Sequence, residues 1–173
     1  MAEATSDFRA TLEAFPATWR RVVGAPHAFF ADLPETGGLG APGVFLVACA
    51  GLNALGHLLT GCGVGGTLGV FVAHLLGAVV LAALLVLTAQ HLFDGHGGFE
   101  ATFRVVAYAA APLVVSWVPL VGRLALLYGA YLTLRGVERM QRLDTTRAAL
   151  AVVLGVAAVW LLGSVRVNRP LWF

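Results

Sequence analysis

Residues 36–93 read TGGLGAPGVFLVACAGLNALGHLLTGCGVGGTLGVFVAHLLGAVVLAALLVLTAQHLF, 58 positions without Asp, Glu, Lys or Arg. A water-soluble domain has to solvate its surface somewhere along such a length, and this stretch has no charge with which to do so. A transmembrane helix needs about 20 apolar residues to cross roughly 30 Å of hydrocarbon. The stretch therefore holds two crossings, with the glycine-rich turn Gly61 to Gly66 between them. Only helices and closed barrels satisfy their backbone groups in lipid. Barrel strands alternate in polarity over about ten residues. The runs here are continuous, as in Leu84-Leu85-Val86-Leu87, so the spans are helices.

The rest of the 173-residue chain follows the same pattern. It is 59% hydrophobic and only 12% charged, against about 25% charged in an ordinary globular domain. All eleven basic residues are arginine, and the net charge of +2 with no basic stripe excludes a nucleic-acid binder. Cys49 and Cys62 form no disulfide framework or metal-ligand spacing. No signal peptide is visible, because the first long apolar run starts near Gly43.

The expected fold is an all-α polytopic membrane protein with five transmembrane helices and an amphipathic, interfacial N-terminal segment. The parts are a cytoplasmic or interfacial segment 1–42, a five-helix domain 43–166 and a short tail 167–173. The first two spans run from about Gly43 to Thr60 and from about Leu68 to Phe93. Arg104 and Arg123 bracket the third, with a kink expected at Pro112 and a turn at Pro119. The fourth covers about Leu120 to Val137, its arginines snorkelling to the headgroups. The fifth covers Ala148 to Val165, with Asp144 or Thr145 as its N-cap. Phe8, Leu12, Phe15, Trp19 and Val22 form a helical stripe ahead of the spans. Such a stripe lies in the interfacial plane or packs on the bundle.

Sidedness follows from the arginines. With the N-terminus in the cytoplasm, Arg9, Arg20, Arg21, Arg104, Arg135, Arg139, Arg142 and Arg147 are inside, and Arg123, Arg166 and Arg169 are outside. The positive-inside rule then places the C-terminus outside. All nine acidic residues also fall inside, but the rule counts positive residues.

The run from Gly97 to Pro112, GGFEATFRVVAYAAAP, resembles the central signature of the Yip-domain family, the Ypt/Rab-interacting membrane proteins. The likeness extends to Pro119, Gly122, Tyr128, the run Leu134 to Glu138, and the entry Thr146-Arg147-Ala148. Upstream, Pro26-His27-Ala28-Phe29-Phe30 is similar to the family's proline-plus-aromatics entry. The resemblance implies five membrane helices and a cytosolic N-terminus. In eukaryotic members it also implies Rab-type GTPase partners. The short N-terminal region here is similar to the bacterial branch, an inner-membrane setting without Rab partners.

Candidate sites are few. Arg104, one turn before Tyr108 and two before Pro112, is placed to meet a lipid phosphate or a partner at the cytoplasmic face. The alternative is a snorkelling arginine with Tyr108 packed in the bundle. Asn53, His57 and His74 are polar residues within the first two spans, close enough across the turn to meet. A proton relay and a structural hydrogen bond between helices are the two readings. Gly65, Gly69, Ala73 and Gly77 lie four apart and form a packing seam, internal or between copies of the chain. His91, Asp94, His96 and Glu100 gather potential metal ligands at the end of the second span, at a spacing that matches no metal site. No metal, cofactor or catalytic residue is expected: Ser6, Ser116 and Ser164 lie in no nucleophile motif.

These features point to a non-enzymatic membrane organiser or adaptor, with lipid and cytoplasmic-face proteins as partners. The competing reading is a small transporter, channel or scramblase that uses the polar residues of the first three spans.

Overall fold

The computed structural model describes residues 2–166, with side chains described for residues 9–162. The tail 167–173 with its Arg169, and the side chains of Ser6, Phe8, Ser164 and Arg166, lie outside the described residues. Within them the chain is helical and has no strand: α1 (Ala2–Gly24), α2 (Pro26–Asp32), α3 (Gly40–Leu59), α4 (Gly63–Phe93), α5 (Phe99–Ala109), α6 (Val121–Gln141) and α7 (Thr145–Arg166). A 3-10 turn, Ala111–Val115, follows α5.

Three described helices, not five, are long and apolar enough to cross a membrane: Gly40–Leu59, Gly63–Phe93 and Thr145–Leu162. They correspond to the first, second and fifth expected spans. α4 is 31 residues, about 46 Å at helical rise, and exceeds the hydrocarbon thickness. Its first turn takes up Gly63 to Gly66, leaving only Thr60 to Cys62 as the connection. Asp144 caps α7, its Oδ1 accepting the backbone N–H of Thr146 and Arg147 at 3.0 Å each.

The third and fourth expected spans depart for different reasons. Proline has no N–H to continue an α-helix and clashes with the turn before it. Accordingly α5 stops at Ala109 after 11 residues, and the backbone tightens to 3-10 geometry around Pro112. α6 has the length, 21 residues, but carries Arg123, Arg135, Glu138 and Arg139 and so falls short in apolarity.

Between these two elements the chain reverses sharply. The N–H of Val121 donates to the carbonyl of Pro119 at 2.8 Å, and Leu120 sits at φ 68°, ψ −56°. This is the γ-turn of the rare, strained hand. Leu120 is 69% exposed and loses no packing if it is shortened. Leu120→Gly is expected to raise stability by about 1 kcal/mol by removing the Cβ cost of a left-handed residue. Thermal unfolding in detergent measures it; a lower midpoint would contradict the strain.

α5 is the most enclosed element, with every residue from Ala101 to Ala107 buried. It packs between α3, α4 and α6. Gly136 permits the α5–α6 approach, since a Cβ there would strike both methyls of Val105. α1 runs unbroken through Pro16 and lays Phe15, Trp19 and Val22 of its stripe on the bundle, while Leu12 stays exposed. Phe15 meets Phe45 at a ring separation of 5.0 Å, and Val22 is fully buried. Of the two expectations for this segment, these contacts are those of a helix packed on the bundle. α1 descends along α3, and the chain turns at Ala25 into α2, which returns along α6.

Candidate functional site

The polar groups gather at the end of the bundle where α3 and α5 begin and α4 and α6 finish. Three layers of hydrogen bonds tie that end together.

The outermost layer is the loop Gly95 to Gly98, held by Gln141 at the end of α6. Gln141 is fully buried. Its Oε1 accepts the Gly97 N–H at 2.8 Å, and its Nε2 donates to the Gly97 carbonyl at 3.1 Å and to Thr102 Oγ1 at 2.8 Å. Gln90 of α4 donates to the same carbonyl at 3.1 Å. A Cβ on Gly97 would lie 2.5 Å from the Met140 carbonyl oxygen and 2.9 Å from the Gln141 amide carbon, so glycine is needed for this close approach. No local sequence signal marks Gln141: it is 44 residues from its partner.

The second layer is Arg104. Only 5% of it is exposed. Its Nη2 donates to the Gly38 carbonyl at 2.8 Å and to Glu100 Oε1 at 3.1 Å, and its Nη1 reaches the Pro34 carbonyl at 3.5 Å. Nε is buried without a partner. Arg104 therefore neither snorkels nor faces lipid; it fastens the loop before α3 to α5. Glu100 completes the clasp by accepting the Gly38 N–H at 2.7 Å. Chiefly that hydrogen bond, with the Arg104 guanidinium adding to it, holds the Glu100 carboxyl below the ordinary glutamate range. A depressed folded pKa means that the contribution is complete above the ordinary value near 4.5 and fades as pH falls through the depressed one. Melting temperature is thus expected to fall from pH 5 toward pH 3, with a shallower slope in Glu100→Gln. An equal slope in that variant would remove Glu100 from the account.

The third layer lies deeper. Tyr108 stands between Phe29 and Phe45, each at a ring separation of 5.0 Å. It lines a cavity of about 290 Å³ shared by α1, α3 and α5. Pro112 is buried at the start of the 3-10 turn. The backbone there passes from α-helical to 3-10 hydrogen bonding, and two side chains from other helices reach this stretch. Trp19 Nε1 donates to the Ala111 carbonyl at 2.8 Å. Asn53 Nδ2 donates to the Leu113 carbonyl and to Ser116 Oγ, both at 2.6 Å. Side-chain donors from neighbouring helices are what allows irregular backbone at membrane depth. Asn53→Leu is expected to cost about 1 kcal/mol, the scale of an interhelical hydrogen bond in lipid. Unfolding in mixed micelles measures it, and a neutral result would make that bond dispensable.

The other expected groupings do not assemble. Asn53 spends its amide on α5's continuation, and no hydrogen bond joins it to His57 or His74. His74 Nε2 is buried without a partner. Gly65, Gly69 and Gly77 have no atoms within 4 Å of where a Cβ would stand, and Ala73 is exposed, so the seam faces outward from this chain. Among the described residues no three His, Cys, Asp or Glu side chains are grouped to hold a metal. Glu100, one of the four candidates, is engaged with Gly38 and Arg104.

A cavity missed by sequence reading lies on the outer side of this end. It holds about 260 Å³ between α2 and α6, lined by His27, Phe30, Ala31, Arg135, Glu138 and Arg139. The signal available was the spacing of Arg135 and Arg139, one helical turn apart.

Comparison with known proteins places a family model described as the Yip1 domain on residues 20–166. No curated protein and no solved structure matches the chain.

Proposed function

With most of its length matched, the chain belongs to the Yip1 domain family, and from that premise we propose that it is a non-enzymatic, multi-pass organiser or adaptor of the cell inner membrane. It acts by helix packing and by contacts at its cytoplasmic face, with lipid and face-docked proteins as partners. One observation carries this reading: the interior polar side chains are spent on structure. Gln141 and Arg104 hydrogen-bond to loop backbone, and Asn53 and Trp19 to the 3-10 stretch that continues α5. A conduit needs polar groups free to meet a passing solute, and these are not free.

The proposed topology has five crossings. α5 and its 3-10 continuation together rise about 26 Å. Trp117 beyond them packs on Gly56, within about one turn of the outer end of α3. α6 returns over the same distance. Sidedness does not depend on this detail, because a re-entrant hairpin and a pair of crossings both return α7 to the side where α4 ended. The arginine distribution then gives a cytoplasmic N-terminus and an external C-terminus.

The competing reading is a transporter, channel or scramblase, favoured by the unpartnered Nε2 of His74 in the longest helix. Reconstitution into liposomes with ion-flux and lipid-scrambling assays separates the two. The expected result is no protein-dependent flux. Flux that disappears in His74→Ala would overturn the adaptor reading.

A further inference from the structure

We propose that the cavity between α2 and α6 is a headgroup site for an anionic glycerophospholipid, whose phosphate sits between Arg135 and Arg139. The inference rests on the proposed embedding of α6 in the bilayer and assigns that face a ligand.

Leu120, Leu124 and Leu127 are 61–69% exposed, and Tyr131 is 37% exposed. Within α6 the spacing of three and four keeps Leu124, Leu127 and Tyr131 on one face, Arg135 and Arg139 continue it at four and four, and Leu120 lies in the turn just before the helix. One stripe thus passes from aliphatic through an aromatic to cationic residues toward the end of the bundle. That is the order a phospholipid presents, from acyl chain through the interface to phosphate. The stripe ends in the cavity, floored by the buried Phe30 and walled by the small Ala31.

Charge inside the cavity matches one phosphodiester. Around it Arg135, Arg139 and Arg142 stand against the two carboxylates Glu138 and Glu35, leaving one positive charge in excess. Arg135 is the positioned member: its Nη1 pairs with Glu138 at 2.7 Å, and its Nη2 donates to His27 Nδ1 at 2.8 Å. Tyr131 OH lies 3.1 Å from His27 Nε2 and steadies the ring. Arg139 is the more loosely held member. It is 48% exposed and reaches Glu35 only at 3.7 Å. Arg142 also reaches Glu35, at 3.5 Å, so Arg139 can turn to a phosphate without leaving that carboxylate unpaired. Arg104, by contrast, is enclosed and committed to backbone carbonyls, so the headgroup contact passes from it to this pair.

The test uses the full chain in nanodiscs of equal phosphatidylglycerol and phosphatidylcholine, with the retained lipids read by native mass spectrometry. Two arginines at the surface are expected to enrich phosphatidylglycerol on the order of tenfold. Arg139→Gln, which leaves the Arg135–Glu138 pair intact, is expected to lose about fivefold of that. Arg20→Gln, an exposed arginine on α1, is expected to retain it. Equal retention of both lipids, or the same loss in Arg20→Gln, would overturn the site. Inorganic phosphate that binds the detergent-solubilised chain and abolishes the preference would make this a free-anion site and overturn the lipid assignment. Labelling of Leu124→Cys by a water-soluble maleimide, in a Cys62→Ser background, would instead overturn the embedding of α6 and leave the lipid result to be read separately.

Discussion

Gln141→Leu is expected to destabilise the protein by about 2–4 kcal/mol, because it leaves buried polar groups unpaired at nearly constant side-chain volume. The Gly97 N–H loses its acceptor and Thr102 Oγ1 loses a donor. The Gly97 carbonyl keeps Gln90, which limits the cost. The consequence reaches beyond one residue. Gly97 and Gly98 lead directly into α5, so a loosened clamp frees the start of the helix on which the bundle is centred. Thermal and denaturant unfolding in detergent measure the effect. Gly97→Ala should cost a similar amount in the parent chain and only somewhat less beside Gln141→Leu, because a Cβ there meets the Met140 carbonyl oxygen at 2.5 Å as well as the Gln141 amide at 2.9 Å. Additive losses would mean that the two residues act separately.

Arg104→Met is the second large loss, about 1.5–3 kcal/mol for the charge-assisted hydrogen bond from the enclosed guanidinium to the Gly38 carbonyl. The Glu100 partner is more than a third exposed and is left out of that figure. The variant should also release the loop from Pro34 to Leu39, and protease nicking there is expected to accelerate. Arg104→Lys should recover little, since one ammonium cannot reproduce the two-pronged fork that spans Gly38 and Pro34. Full recovery by lysine would show that charge, not geometry, holds the loop.

The parts of this fold that depend on composition were legible, and the parts that depend on distant partners were not. α3, α4 and α7 follow from long runs of aliphatic residues, which only lipid or a large core can accommodate. The break near Pro112 and the reversal at Pro119 follow from proline's missing N–H. The five-span expectation met its limit at α5, where the short helix is protected by side chains rather than by its own length. Arg104 looked like a headgroup ligand because the sequence shows its neighbours on α5, not the Gly38 carbonyl 66 residues away. The seam of Gly65, Gly69, Ala73 and Gly77 is real in spacing, but the spacing does not say what it faces. In the sequence Arg135 and Arg139 stand as orientation signals, with Arg135 also a snorkelling arginine of the fourth expected span. Their shared cavity exists because α2 folds back over them.

The packing of α1 on the finished bundle sets an order on biogenesis. The Val23 carbonyl accepts from Tyr128 OH at 2.6 Å across a separation of 105 residues. A ribosome adding about 5–20 residues per second needs roughly 5–20 s to deliver the second partner after the first. Throughout that interval the amphipathic arm has emerged with at most part of its berth, such as the α3 face, and the Tyr128 contact is missing. Nascent chains stalled before Tyr128 should therefore carry this arm on the membrane surface or on a chaperone, and release from either should track translation of α6.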